Sequence, residues 1–315
     1  MAGLDFEKPI AELEKKIQEL KTFMTEKKID LTSEIKKLED KLEHLKKDTY
    51  VNLSAWQKVQ LARHPLRPYT LDYISLMMTD FVQLHGDRLF SDDKAMICGL
   101  AKIDKTKVMV IGHQKGRDTK ENLKRNFGCA HPEGYRKALR VMQMAEEFNL
   151  PVVVFIDTPG AYPGIGAEER GQSHAIAVNL REMTAIGVPI MATVIGEGGS
   201  GGALGVGIAD RVAVLENSYY SVISPEGCAA ILWKDGAKAP QAAQVLKLTG
   251  QDLLKMGIID EVIPEPLGGA HRDPQKIAAT LKESILRNLK ELKTLDKKEL
   301  LALRYKKFRV MGVTG

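Results

Sequence analysis

The chain has 315 residues, 44% of them apolar, 28% charged and only 6% aromatic, so it can bury a sizeable core built mainly from aliphatic side chains and glycine. A net charge of +5 does not demand nucleic acid as a partner. No run approaches the roughly 18 apolar residues that span a bilayer, and the charged N-terminus holds no secretory apolar segment, so a cytoplasmic location is expected.

Within residues 1–50 the single glycine is Gly3, and eleven lysines face twelve acidic residues. Ile10, Leu13, Ile17, Leu20 and Met24 recur three and four apart and predict an amphipathic helix. The pattern breaks at Lys27–Asp30 and resumes at Leu31, Ile35, Leu38, Leu42 and Leu45, with Asp30 or Thr32 available as N-cap. The two helices form an antiparallel hairpin whose one apolar seam needs a partner surface, with assembly onto another chain favoured over packing on the main domain.

From about residue 95, short β-branched runs alternate with helical stretches. Ala95–Ile103, Lys107–Gly112, Pro151–Ile156, Val188–Ile195, Arg211–Leu215 and Tyr219–Ser224 are predicted strands, several apolar throughout as in a sheet covered on both faces. Tyr135, Leu139, Met142, Ala145 and Phe148 mark one helix stripe. Ile176, Leu180 and Met183 mark a second, closed by Gly187. Asp273–Pro274 opens a helix through Leu292, and Asp296 with Glu299 caps a short last one. This alternation is that of an α/β core. Between the predicted strand Lys107–Gly112 and the stripe that begins at Tyr135, Lys115, Arg117, Lys120, Lys124 and Arg125 form a basic stretch suited either to phosphates or to a solvated face.

Seven of the twelve residues Gly196–Gly207 are glycine. The string follows a predicted strand and leads into a predicted helix Gly202–Asp210, so free N–H groups there suit an anion or oxyanion. Close helix packing is the competing explanation. A second turn, Asp157-Thr-Pro-Gly-Ala-Tyr-Pro-Gly-Ile-Gly, follows Pro151–Ile156, and two such turns at the carboxyl edge of an α/β sheet are expected to flank one site.

Both strings have decoys. Gly196-x-Gly198-x-x-Gly201, with Glu216 twenty residues on, matches the dinucleotide fingerprint, but the helix that follows is too short for its crossover. Asp157-Thr-Pro-Gly resembles a GTPase motif without any P-loop. Ser200 is conceivable as a nucleophile with His174 or His113 as base and Asp157 as orienter, although no G-x-S-x-G elbow is complete. Cys98, Cys129 and Cys228 lie far apart without a CxxC, which argues against disulfides and against a structural zinc, so no metal is expected.

Asp157–Gly166, Gly196–Asp210 and Ser221–Gly227, together with Leu248–Ile263, closely resemble the carboxyltransferase α-subunit family of bacterial acetyl-CoA carboxylase, in the wider crotonase superfamily. The resemblance runs through nearly the whole chain. It implies an α/β fold, a crotonase-like spiral of β-β-α units, with an N-terminal helical hairpin at 1–50, the core at 51–270 and C-terminal helices at 271–315. It further implies an α2β2 heterotetramer whose β subunit carries a zinc ribbon, working with a biotin carboxyl carrier protein and biotin carboxylase. Carboxybiotin would pass its carboxyl group to acetyl-CoA to give malonyl-CoA. Carried onto this sequence, the backbone N–H groups of Gly201, Gly202 and Ala203 would form the biotin-side oxyanion hole. Gly160, Ala161, Tyr162 and Gly164, with Gly198 and Gly199, would wall the pocket, and Lys115 and Arg117 are candidates for substrate phosphates or carboxylates. Two rivals remain at this stage. One is a hydratase or isomerase using Glu168, Glu169 or Glu197 as base, and the other is a noncatalytic scaffold assembled through the hairpin.

Overall fold

The computed structural model describes residues 4–27 and 30–312. Helices Lys8–Lys27 and Thr32–Val51 form the expected hairpin; Gly3 and, within the expected break, Lys28 and Ile29 lie outside the described residues. The cap position falls on Leu31, while Asp30 accepts the Thr32 N–H at 3.0 Å. Ile10, Ile17 and Ile35 are buried on the seam. The hairpin is pinned to the rest of the chain at its base, where buried Glu7 accepts from the Tyr50 hydroxyl at 2.5 Å and pairs with Arg272 at 3.5 Å.

Eight strands form one mixed sheet: β1 (Thr79–Leu84), β2 (Met96–Ile103), β3 (Thr106–His113), β4 (Val152–Thr158), β5 (Ile190–Gly199), β6 (Arg211–Leu215), β7 (Tyr219–Ser221) and β8 (Glu261–Ile263). Their order is β1-β2-β3-β4-β5-β6-β8, with β7 continuing beside the far end of β5. The β1-β2-β3 meander is antiparallel and every later pairing is parallel. Helices Ala55–Ala62 and Thr70–Met77 and strand β1, ahead of residue 95, were not among the predicted elements.

Parallel strands covered on both faces should be apolar at every position, and β4 shows why. Val152, Val154 and Ile156 enter one core with helices Pro132–Glu147 and Gln172–Met183. Val153 and Phe155 enter the other, under helices Thr70–Met77 and Pro274–Leu292. Phe148, expected on the inner stripe of the first of these helices, lies just past its end and is exposed. Gly187 does not close the second, which ends at Met183; its missing side chain makes room for Lys297, whose Cε lies 2.2 Å from where a Cβ would be. No helix among the described residues is long and apolar enough to cross a membrane.

The last helix, Lys297–Arg309, is capped by Asp296 as expected. It is fastened by Arg304, which is fully buried. Its guanidinium donates to both Asp210 carboxylate oxygens, at 2.8 and 2.7 Å, and to the carbonyls of Met183, Ile186 and Val188. Removing one partner of a buried pair strands the other charge, at a cost of about 3–5 kcal/mol. We expect Arg304→Ala to lower unfolding free energy by that order in denaturant titration. Lys297→Ala, which removes an exposed ion pair with Glu146 and the packing of a largely exposed stem on Gly187, should cost clearly less, about 1 kcal/mol.

Candidate active site

The two glycine strings meet at the carboxyl ends of β4 and β5. The strands pair regularly as far as Ile156 with Val194, and the next pair is Thr158 with Gly198. Opposite Asp157, β5 therefore carries two extra residues in a bulge, which bends the strand and frees backbone groups. The Asp157 carboxylate fills it, Oδ1 accepting the Glu197 N–H at 2.9 Å. A Cβ at residue 196 would lie 2.5 Å from that oxygen, so glycine is required there.

Lys115, two residues past β3, donates to Asp157 Oδ1 at 2.6 Å and to Glu197 Oε1 at 2.8 Å. The other Glu197 oxygen accepts from Arg63 Nε and from the Tyr219 hydroxyl, both at 2.7 Å, and Arg63 reaches on to Glu226 at 2.5 Å. Burial pushes the Glu197 pKa up, but Lys115 and Arg63 outweigh it and hold the carboxyl at about 2. The Lys115 ammonium, which burial alone would disfavour, is raised above the usual lysine value by Asp157 and Glu197.

Beyond this ionic layer the strings touch backbone to backbone. A Cβ on Gly199 would come within 2.2 Å of the Pro159 carbonyl oxygen, and one on Gly202 within 2.4 Å of the Gly160 carbonyl carbon and 2.6 Å of Ala161 N. Gly198 is nearly as confined, 3.0 Å from Tyr219 O. Gly201 differs: the nearest atom to its Cβ would be Ile176 Cδ1 at 3.6 Å, an ordinary contact. The second turn is held from outside. Thr158 Oγ1 donates to Gly160 O, the Tyr162 ring stacks on His131 at 4.1 Å, and Gln172 donates to the carbonyls of Ala130 and Tyr162. Tyr162 also covers Gly164, whose Cβ would meet its ring at 2.4 Å.

The expected helix Gly202–Asp210 is instead Ser200–Leu204. β5 continues to Gly199, Ser200 turns the chain in the left-handed region at φ 51°, and the chain leaves the helix through tight bonds from Val206 to Ala203 and from Gly207 to Leu204. The glycines at 205 and 207 favour that early end, and Tyr135 packs against the bare face of Gly205. So short a helix has little macrodipole, and its N–H groups act as local donors. Those of Gly201, Gly202 and Ala203 find no acceptor outside the helix among the described residues. Gly202 and Ala203 are buried, whereas Gly201 and Ser200 form part of the wall of a cavity of about 540 Å³, lined otherwise mainly by Leu204, Tyr220, Val222, Leu253 and Ile258.

The basic stretch does not form a free cationic patch. Lys115 is partly buried and held in the ionic layer; Arg117 pairs with Asp72 and lies over the Tyr69 ring at 3.9 Å; Arg125 pairs with Glu121. Only Lys120 and Lys124 of the five make no ion pair among the described residues. Nor is the serine triad assembled. The Ser200 hydroxyl has no hydrogen-bond partner among the described residues, His174 is exposed on its helix, and Asp157 is engaged by Lys115. His113 is fully buried with neither ring nitrogen hydrogen-bonded. Burial, then Lys115, pull its pKa down to about 3, against a weaker pull from the nearby carbonyls of Phe155 and Gly202. Glu168 and Glu169 are exposed on the surface helix Ile165–Glu169, and Glu197 is held ionised by three donors, so none is a poised base. Arg63, Tyr219 and Glu226 escaped sequence reading because they lie up to 163 residues from their partners.

A family described as acetyl co-enzyme A carboxylase carboxyltransferase-like matches residues 3–312. The chain is 60% identical over 309 residues to the acetyl-coenzyme A carboxylase carboxyl transferase subunit alpha of Geobacter metallireducens, covering 98% of this chain and 97% of that protein. It is 59% identical over 312 residues to the subunit of the same name from Edwardsiella ictaluri, covering 98% of each. The chain belongs to the acetyl-CoA carboxylase carboxyltransferase α-subunit family. It is thus an enzyme subunit of that carboxyltransferase. Among solved structures the fold is similar to the geranyl-CoA carboxylase β subunit of Pseudomonas aeruginosa, with TM-score 0.55 and 16% identity over 78% of this chain and 46% of that one. It is also similar to transcarboxylase 12S, with TM-score 0.53 and 21% identity over 67% of this chain and 40% of that one. These neighbours bear out the crotonase-like α/β fold expected from the family.

Two measurements test this geometry. Gly202→Ala drives a side chain into the backbone of the other turn, an overpacking worth about 1–3 kcal/mol, so its melting temperature should drop clearly, while Gly201→Ala should melt within a degree or two of the parent. His113 stays neutral in the fold but is free to protonate when unfolded, so its contribution to stability is complete above pH ~6.5 and is lost as pH falls from there towards about 3. In His113→Leu the slope of unfolding free energy against pH between 6.5 and 5 should be smaller by up to one proton, about 1.4 kcal/mol per pH unit.

Proposed function

We propose that the elbow Gly201-Gly202-Ala203 is the biotin-side backbone oxyanion hole of the carboxyl transfer that forms malonyl-CoA from acetyl-CoA. The observation that carries the reading is a turn whose N–H groups find no acceptor outside the helix among the described residues and which opens at Gly201 on a mainly apolar cavity, with no poised base at hand. Fixed donors aimed at developing negative charge are often the largest catalytic contribution, and they need no titrating side chain. The apolar wall and lack of carboxylates suit an uncharged bicyclic ring with an aliphatic arm. Biotin, carried by its carrier protein, supplies the carboxyl group on a ureido nitrogen and takes up the methyl proton of acetyl-CoA once that group has left.

In this reading Gly201 N–H and its neighbours hold the ureido oxygen. Gly160, Ala161, Tyr162 and Gly164 back the elbow from the second turn, and Gly198 and Gly199 keep the two turns in contact. The thioester side of the site comes from a β subunit with a zinc ribbon, in an α2β2 heterotetramer that works with biotin carboxylase in the cytoplasm. The anion-binding role first read for Lys115 and Arg117 passes to Lys120 and Lys124, because the former two are spent on internal partners.

The chain alone should show no biotin-dependent decarboxylation of malonyl-CoA, and adding the β subunit should restore it. In that complex Gly201→Ala, which sets a methyl group beside the donor row without disturbing the fold, should lower kcat at least ~10-fold, and Gly202→Val should abolish turnover. Normal turnover by the Gly201→Ala complex would place the ureido oxygen elsewhere. Lys120→Ala and Lys124→Ala should raise KM for a CoA or carrier substrate about two- to fivefold at low salt, with the effect fading as salt rises.

A further inference from the structure

Among the described residues, nine other than glycine adopt a left-handed backbone, and two of them, Ser200 (φ 51°) and Lys247 (φ 53°), line the same cavity of about 540 Å³. Such conformations are costly for residues with a Cβ, and they gather where a site dictates the backbone. At residue 200 the cost is avoidable in principle, because four of the five residues from 198 to 202 are already glycine and a fifth would adopt this φ freely. Ser200, the one side chain among residues 198–202, is therefore the feature to explain.

Packing does not explain it. Ser200 is exposed, and its Cβ approaches the second glycine turn only loosely, 3.9 Å from where a Cβ on Gly160 would stand. Capping does not explain it either, since the hydroxyl has no hydrogen-bond partner among the described residues, whereas Ser221, on the same cavity, donates to Ile223 O at 2.8 Å. What remains is a free hydroxyl next to Gly201 on a wall otherwise dominated by Leu204, Val222, Leu253 and Ile258. Tyr220, Ser221 and Lys247 also line this mainly apolar cavity, but Ser200 is the polar side chain that adjoins Gly201, and a polar group so placed fixes the orientation of a polar ligand atom.

We propose that Ser200 is a further catalytic residue: its hydroxyl donates a hydrogen bond to the ureido group of biotin, beside the backbone donors of the elbow. The inference rests on the biotin-side reading of this cavity. Ser200 is a donor here and not a nucleophile, because no base adjoins it and no bond to its oxygen forms. A hydroxyl can serve an oxygen that gains charge as the carboxyl group leaves, so its contribution belongs to kcat more than to binding.

The test uses the complex with the β subunit, assayed for malonyl-CoA decarboxylation with free biotin as acceptor. Ser200→Gly removes the hydroxyl and relieves the backbone, so it should melt no lower than the parent yet lose on the order of 10- to 100-fold in kcat, with KM for malonyl-CoA unchanged. Ser200→Ala removes the hydroxyl and keeps the backbone cost, so it should lose the same turnover. Parent-like kcat in Ser200→Gly would overturn the proposal, and so would a loss confined to KM for malonyl-CoA, which would put the contact on the thioester. Loss in Ser200→Ala with full activity in Ser200→Gly would also overturn it, by assigning the effect to the backbone. Gly201→Ala in the same assay separates the two levels. If it too keeps full turnover, the cavity is not the biotin site; if it is impaired while Ser200→Gly is not, only the hydroxyl's role fails.

Discussion

The site depends on one carboxylate crossing between strands. Asp157, at the end of β4, fills the bulge in β5 by accepting the Glu197 N–H, and Lys115 binds it from below. A buried aspartate is tolerable only when paired and hydrogen-bonded, and here the pairing partner is shared with Glu197. The arrangement sets where β5 bends, hence where its glycines meet the Pro159–Ala161 backbone. The glycines and the ionic layer are therefore one device: glycine allows the approach, and the charges set its register.

The same logic is repeated by the buried arginines that tie distant segments to strand ends. Arg67 lies in the loop between helices Ala55–Ala62 and Thr70–Met77. It donates to Ile195 O in the bulge of β5, to Ser218 Oγ and to both oxygens of Glu265. Glu265 in turn accepts from Asn217 N and Ala270 N. Arg304 does the equivalent at the opposite edge of the sheet, on Asp210 and three carbonyls. A planar guanidinium with five donors can satisfy several acceptors at once, which lysine cannot. Chain segments more than a hundred residues from the glycine string thereby fix the strand that carries it.

The charges of the ionic layer beneath the elbow are spent on structure. Glu197 is ionised and saturated, Lys115 is neutralised by two carboxylates, and His113 is kept neutral by burial. The cavity is lined by the backbone at Gly201, the hydroxyl-bearing side chains of Ser200, Tyr220 and Ser221, aliphatic walls and one charged side chain, Lys247. A pocket of that kind stabilises charge that appears on a ligand without competing for it beforehand, the behaviour that preorganised donors provide.

Much was legible without coordinates. The hairpin, most core strands and the capped C-terminal helices follow from periodicity and end signals, which are local. The two glycine strings at strand ends pointed to one site, because consecutive glycines after a buried strand have few other uses. Three things depended on the tertiary structure. Strand β5 swallows residues 196–199 because the Asp157 bulge, a contact across 40 residues, keeps them extended. Lys115 and Arg117, which read as free cations, are internal because their carboxylate partners lie 42 to 82 residues away in sequence. Which glycine opens on the cavity, Gly201 rather than Gly202, is decided by how closely the second turn packs. The amino-acid sequence by itself determined the α/β class, the hairpin and the position of the two glycine turns at strand ends, since these rest on neighbours within a few residues. Only the folded chain decided which charges remain free and which donors are exposed, because burial and ion pairing are properties of residues brought together from far apart.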